Sequence, residues 1–157
     1  MTNGLNGAAH PLPFTYNDGG RALAGFKGST RDCGCRAVAI ATGRDYREVY
    51  SFLNRMSKVE HLPRGWNKSH SRTGVHAITM HKYLKALDFK WTSCVYQDND
   101  RFMCINKDDL PMGRLVLYMH RHFAAVINHV LYDTWNSGSG RYYQLKGYWK
   151  LEENWLI

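Results

Sequence analysis

The stretch TRDCGCRAVAIATGRDY, residues 30–46, decides how the rest of the chain is read. Asp32 is a favoured N-cap residue, the run CGCRAVAIAT is apolar on nearly every side with Arg36 as its one charge, and Gly43 suits the position just past a helix end. A helix apolar all round is normally buried. Its first turn presents backbone N–H groups without intrahelical partners, together with partial positive charge. A thiol placed there ionises more easily, and an oxyanion forming beside it finds donors. Cys33 takes that place. Cys35, two positions on, is rotated by about 200° around the axis; it shares a face with Val38, Ala39 and Thr42 and is read as a packed core thiol.

Around this segment the chain has the size of one domain, 157 residues, with enough apolar and aromatic content (44% and 13%) to exclude a disordered chain. No run approaches the roughly 20 apolar residues of a membrane span, and the start lacks the charged-then-apolar order of a signal peptide. The expectation is a cytoplasmic protein that does not engage a membrane. Cys33, Cys35, Cys94 and Cys104 are accordingly read as thiols, and none of their spacings matches a structural zinc motif. A net charge of +8 makes an acidic partner an option, and weak, sequence-independent nucleic-acid binding is expected at most, because the basic residues are scattered.

Upstream, residues 1–28 are rich in Gly, Asn and Pro and read as an extended or partly disordered N-terminal arm, with residues 29–157 forming a single domain. Downstream, Asp45 and Glu48 form a capping-box-like start to a second helix whose Tyr46, Val49, Tyr50, Leu53 and Met56 recur at helical spacing. Residues 58–72, polar and basic with Trp66 among them, read as a long surface loop. Thr73 then caps a third helix with Val75, Ile78, Leu84 and Leu87 on its apolar face. Strands follow at 89–96, 115–119, 122–127, 130–135 and 142–149, with a short one at 102–105. Helices first and an antiparallel sheet second define an α+β domain.

Asn128 and His129 separate two strand runs by two residues, as a hairpin turn does. Counting outward pairs Ile127 with Val130, Ala124 with Asp133 and His122 with Trp135, which makes His122 and Asp133 diagonal neighbours on one face. Such neighbours lie about 7–8 Å apart at the backbone, close enough for an imidazole and a carboxylate to meet. A thiol nucleophile needs this equipment: the His takes or shares its proton, and the acid fixes the imidazole tautomer and supports its charge.

The segments DCGCRAVAIATGRDYREVY and RHFAAVINHVLYDTWN, in that order, resemble the papain-like cysteine peptidase superfamily, and most of all its small bacteriophage-encoded members. The resemblance covers about residues 30–57 and 113–137. It implies a papain-like α+β fold in which a central helix opening with Cys33 packs on a C-terminal antiparallel sheet. It also implies a catalytic triad of Cys33, His122 and Asp133, no cofactor, and a peptide or protein substrate, a host protein among the candidates, met in the host cytoplasm. Where such enzymes place an amide side chain before the cysteine, this chain has FKGSTRD, so Ser29 and Thr30, with Lys27 beside them, are the side-chain candidates for the oxyanion hole, alongside the Cys33 N–H. The reaction implied is hydrolysis or transfer at an amide or related acyl bond.

Two other readings stay open on the residues alone. His120, His122 and Asp133 could form a two-His, one-carboxylate metal set if His120 lay within the strand. Alternatively the chain is a non-enzymatic binding or inhibitory protein on the same fold, using Trp66 and the aromatic strand residues Tyr142, Tyr143, Tyr148 and Trp149.

Overall fold

The computed structural model describes residues 10–94, 105–138 and 145–153. The order of elements is a short strand β1 (Phe14–Tyr16), helices α1 (Cys33–Thr42), α2 (Tyr46–Ser57) and α3 (Ala77–Ala86), strand β2 (Phe89–Ser93), a 3-10 turn (Lys107–Asp109), and strands β3 (Arg114–Met119), β4 (His122–Ile127), β5 (Val130–Asp133) and β6 (Leu145–Leu151). The α+β class expected from the sequence is what forms, with three helices and one six-stranded sheet among the described residues.

The sheet runs β1-β5-β4-β3-β6-β2, and it is mixed rather than purely antiparallel, because β1 pairs with β5 in parallel. That strand comes from the stretch read as an arm; its three residues are exposed and carry no periodicity for a sequence reading to use. The remaining pairs are antiparallel. At the centre, β3 and β4 are buried on both faces, which is why LVLYM and HFAAVI read as continuous apolar runs. Val116, Phe123 and Ala125 pack against the helices with Val38, Leu53, Met80 and Leu84. On the other face Leu115, Leu117, Ala124 and Val126 are covered by Leu12, Ile105 and Leu110.

Three local expectations are corrected. Asp32 does not cap α1 through its side chain, which is buried against Arg36 and Tyr46 instead. The third helix starts at Ala77 and not after Thr73, since His70 and Gly74 exchange backbone hydrogen bonds in a tight turn and Gly74 takes φ 130, outside helical space. Its buried residues are Thr79, Met80, Tyr83 and Leu84, and Ile78 is exposed. Strand β5 ends at Asp133, two residues early, because the Asp133 carboxylate accepts the Thr134 N–H at 2.7 Å and the chain turns there. The second helix behaves as read at its start: Asp45 accepts from the N–H groups of Arg47 and Glu48, although Glu48 pairs with Arg44 instead of closing the capping box. The strand expected at 102–105 lies largely outside the described residues, as do the first residues of the one expected at 142–149.

The hairpin follows the counted register. Ile127 pairs with Val130 and Ala125 with Tyr132, and Asn128 and His129 carry the positive φ values (48 and 65) of a tight two-residue turn.

Gly147 fixes how β6 sits between β2 and β3. A Cβ built there would collide with the Trp91 ring and stand 2.6 Å from the Thr92 carbonyl oxygen, which is backbone and cannot swing away. Gly147→Ala is therefore expected to lower stability in urea unfolding by about 1–3 kcal/mol, the range for forcing volume into a packed site; an unchanged midpoint would contradict this packing.

Candidate active site

Helix α1 delivers Cys33 as its first residue, half-buried, and α1 packs along β4. His122 opens β4 and Asp133 closes β5, so the hairpin brings the two to one end of the sheet. His122 Nε2 lies 2.6 Å from Asp133 Oδ2, both side chains being buried. The thiol of Cys33 hydrogen-bonds to the His122 side chain and is also contacted by the Phe123 backbone. The Trp135 indole lies beside the imidazole, tilted at 51° with 5.3 Å between ring centroids. The helix and the hairpin thus bring Cys33, His122 and Asp133 into one line of contact.

Asp133 is held from four sides. Oδ2 also accepts from Ser137 Oγ at 2.7 Å, and Oδ1 accepts from the Thr134 N–H at 2.7 Å and from Arg36 Nη2 at 3.3 Å. Arg36, one turn into α1, donates through its other terminal nitrogen to Asp32. The Asp32 carboxylate further accepts from the Tyr46 hydroxyl at 2.5 Å and faces Arg21 Nε at 3.4 Å. This explains why Asp32 is not a capping residue: its side chain is fully buried, where a guanidinium and a phenol offer stronger, charge-assisted partners than backbone amides. The first-turn N–H groups of α1 consequently have no side-chain cap.

The electrostatics follow from these contacts. Burial alone would raise the Cys33 pKa, but the His122 hydrogen bond and charge, with Phe123 and Arg36 behind them, bring it below the ordinary cysteine value. Burial disfavours charge on His122 as well, yet the bonds to Asp133 and Cys33 outweigh it and hold its pKa up at about 9. Asp133 goes down in spite of its burial, through His122, Ser137 and Thr134. The three shifts all run toward the charged forms, thiolate, imidazolium and carboxylate. Cys35 goes the other way. It is fully buried, and burial with the nearby Asp32 charge pushes its thiol up to about 12. Burial also raises Cys94. Cys104 lies outside the described residues.

The other candidates fall as follows. Thr30 donates its hydroxyl to the Arg72 carbonyl oxygen at 3.0 Å, and the Arg72 guanidinium bonds the carbonyls of Lys27 and Ser29, so residues 27–30 are tied to Arg72. Ser29 and Thr30 line a cleft with Arg31, Arg72 and Thr73. His120 sits in the exposed turn between β3 and β4, outside the strand on which the metal reading depended, and among the described residues no group of three His, Cys, Asp or Glu side chains is arranged around a metal position. Trp149 is core, its indole N–H donating to His81 at 3.0 Å, while Trp66 is exposed beside His76. Tyr142 and Tyr143 are outside the described residues. Among the described residues no helix is long and apolar enough to cross a membrane.

Arg36, Ser137, Tyr46 and Arg21 are the site residues that the sequence reading passed over. Arg36 carried a signal, since a lone charge in an otherwise apolar helix is buried with it and must find partners. Ser137 and Arg21 carried none, lying in a loop and in the arm. No protein-family model, curated protein or solved structure matches the chain.

These shifts predict which thiol reacts and when. At pH 6, sub-stoichiometric iodoacetamide is expected to modify Cys33 well ahead of Cys35 and Cys94, because of these three thiols Cys33 has its pKa lowered while burial raises the other two. In His122→Ala the imidazolium that lowers the Cys33 pKa is gone, so the reactive limb moves to higher pH. Peptide mass mapping across a pH series reads both. Preferential labelling of Cys35, or an identical profile in His122→Ala, would contradict the site.

Proposed function

We propose that this protein is a thiol-dependent hydrolase or transferase that acts on an amide or related acyl bond in the manner of the papain-like peptidases. The observation that carries the reading is the contact chain from the helix-opening Cys33 through His122 to Asp133, with 2.6 Å between His122 Nε2 and the carboxylate. The order and spacing of DCGCRA and RHFAAVINHVLYDTW support the same reading.

In this mechanism the Cys33 thiolate attacks the acyl carbon and the carbonyl π electrons move to oxygen. The uncapped N–H groups at the start of α1 stabilise that oxyanion. His122, as imidazolium, gives its proton to the leaving nitrogen as the C–N bond breaks, which leaves a thioester on Cys33 and a neutral imidazole. His122 then removes a proton from water, or from another acceptor, as it attacks the thioester. The thiolate departs and the imidazolium is restored. Asp133 keeps the ring in the tautomer and orientation that both steps need. Peptides and proteins are the substrate class, with host proteins included if the chain is phage-encoded.

The test is turnover of a p-nitrophenyl ester and of a mixed peptide library, with intact-mass detection of the acyl-enzyme. Acylation of Cys33 is expected, lost in Cys33→Ala, with turnover reduced roughly 100-fold or more in His122→Ala. Turnover that survives Cys33→Ala would contradict the mechanism. An absence of any acylation in the folded protein would instead favour the non-enzymatic, host-factor-binding reading.

A further inference from the structure

Immediately before the nucleophile the chain builds a cleft of about 250 Å³ lined by Ser29, Thr30, Arg31, Arg72 and Thr73. We propose that this cleft is a subsite for a carboxylate of the substrate, with Arg31 as its principal ligand. The proposal rests on the thiol chemistry assigned to Cys33 and adds the class of substrate.

The lining is two guanidinium groups and three hydroxyl residues, with no acidic side chain among them. Arg31 is exposed and makes no ion pair among the described residues. Arg72 is half-buried and bonds only backbone carbonyls through its guanidinium, 2.7 Å to Lys27 and 3.3 Å to Ser29, so no carboxylate of the described residues neutralises it either. The nearest acid in sequence, Asp32, is turned inward and neutralised by Arg36 and Arg21. The cleft therefore keeps an uncompensated positive charge.

Its walls are also held in place. The Arg72 carbonyl oxygen accepts from the Arg31 N–H at 2.8 Å and from Thr30 Oγ1 at 3.0 Å, and the Arg72 guanidinium fastens the preceding residues. Arg31 is thus anchored at its backbone while its side chain stays available. A chain of two residues spans at most about 7 Å, so Arg31 is within side-chain reach of whatever is bonded to Cys33. A planar guanidinium facing a carboxylate gives paired, charge-assisted hydrogen bonds, which a neutral amide of the same shape does not.

Two sources of carboxylate share this chemistry, an acidic side chain and a free peptide C-terminus. Three electrophiles separate them: N-iodoacetyl-glutamate α-amide carries only the side-chain carboxylate, N-iodoacetyl-glutamine only the terminal one, and N-iodoacetyl-glutamine α-amide neither. Second-order rates of Cys33 alkylation would be measured for the folded full chain and for Arg31→Gln. The expected result is that at least one carboxylate probe reacts with Cys33 roughly five-fold or more faster than the neutral probe, and that Arg31→Gln brings this ratio close to one. Preference for the glutamate amide assigns an acidic side chain; preference for the glutamine acid assigns a C-terminus. Equal rates for all three probes at Cys33, or a preference that persists in Arg31→Gln, would overturn the subsite while leaving the nucleophile in place. Failure of every probe to alkylate Cys33 would overturn both.

Discussion

The buried carboxylate of Asp133, held between the His122 imidazole and the Arg36 guanidinium, is the constraint that orders the site. It joins the start of α1 to the hairpin of β4 and β5, the two parts of the chain that meet where Cys33 contacts His122. Arg36 extends the chain of charges to Asp32, and Arg21 and Tyr46 complete it. Removing one member of a buried ion pair typically costs about 3–5 kcal/mol, because the partner's charge is left uncompensated. The network therefore acts as a unit. Arg36 Nε is buried without a hydrogen-bond partner among the described residues, so it is the terminal nitrogens and their two carboxylates that make the burial of this cation tolerable.

That arrangement gives one helix two separate electrostatic tasks. At its N-terminus it presents a thiol and uncapped N–H groups to the site; a turn later it supplies the guanidinium that bonds Asp133 Oδ1 from behind. Because Asp32 is drawn inward by Arg36, it does not cover the helix start as an N-cap would. The same inward turn leaves Arg31 and Arg72 lining the cleft without an ion-pair partner among the described residues. A single change of partner for Asp32 thus bears on the thiol, on the uncapped start of the helix and on the charge of the neighbouring cleft.

Much of this was legible in the residues, and the parts that were not share a cause. The apolar run of α1, the Asn128–His129 turn and the counting that joins His122 to Asp133 are all set by local rules, a helical period and a two-residue hairpin, and the structure follows them. Strand β1 escaped because it borrows its hydrogen bonds from β5, more than a hundred residues later, and buries no face of its own. The start of α3 escaped because a turn closed by His70 and Gly74 competes with Thr73 as a cap. Arg36 was visible as an anomaly, but its partners are set by tertiary contact: Asp133 is 97 residues away. Asp32 was misread because a good N-cap residue has a better use when a guanidinium and a phenol reach it in a buried place.

The contacts of His122 make it an imidazolium, stabilised by Asp133 on one side and Cys33 on the other. Nitrogen-15 NMR of the histidine rings, titrated from pH 5 to pH 10, reads that charge directly. His122 is expected to stay protonated through neutral pH and to lose its proton only as pH rises through about 9, with the midpoint moving down in Cys33→Ala as the sulfur's share is removed. A His122 ring that titrates near the ordinary histidine value of about 6.5 in the unmodified protein would contradict it.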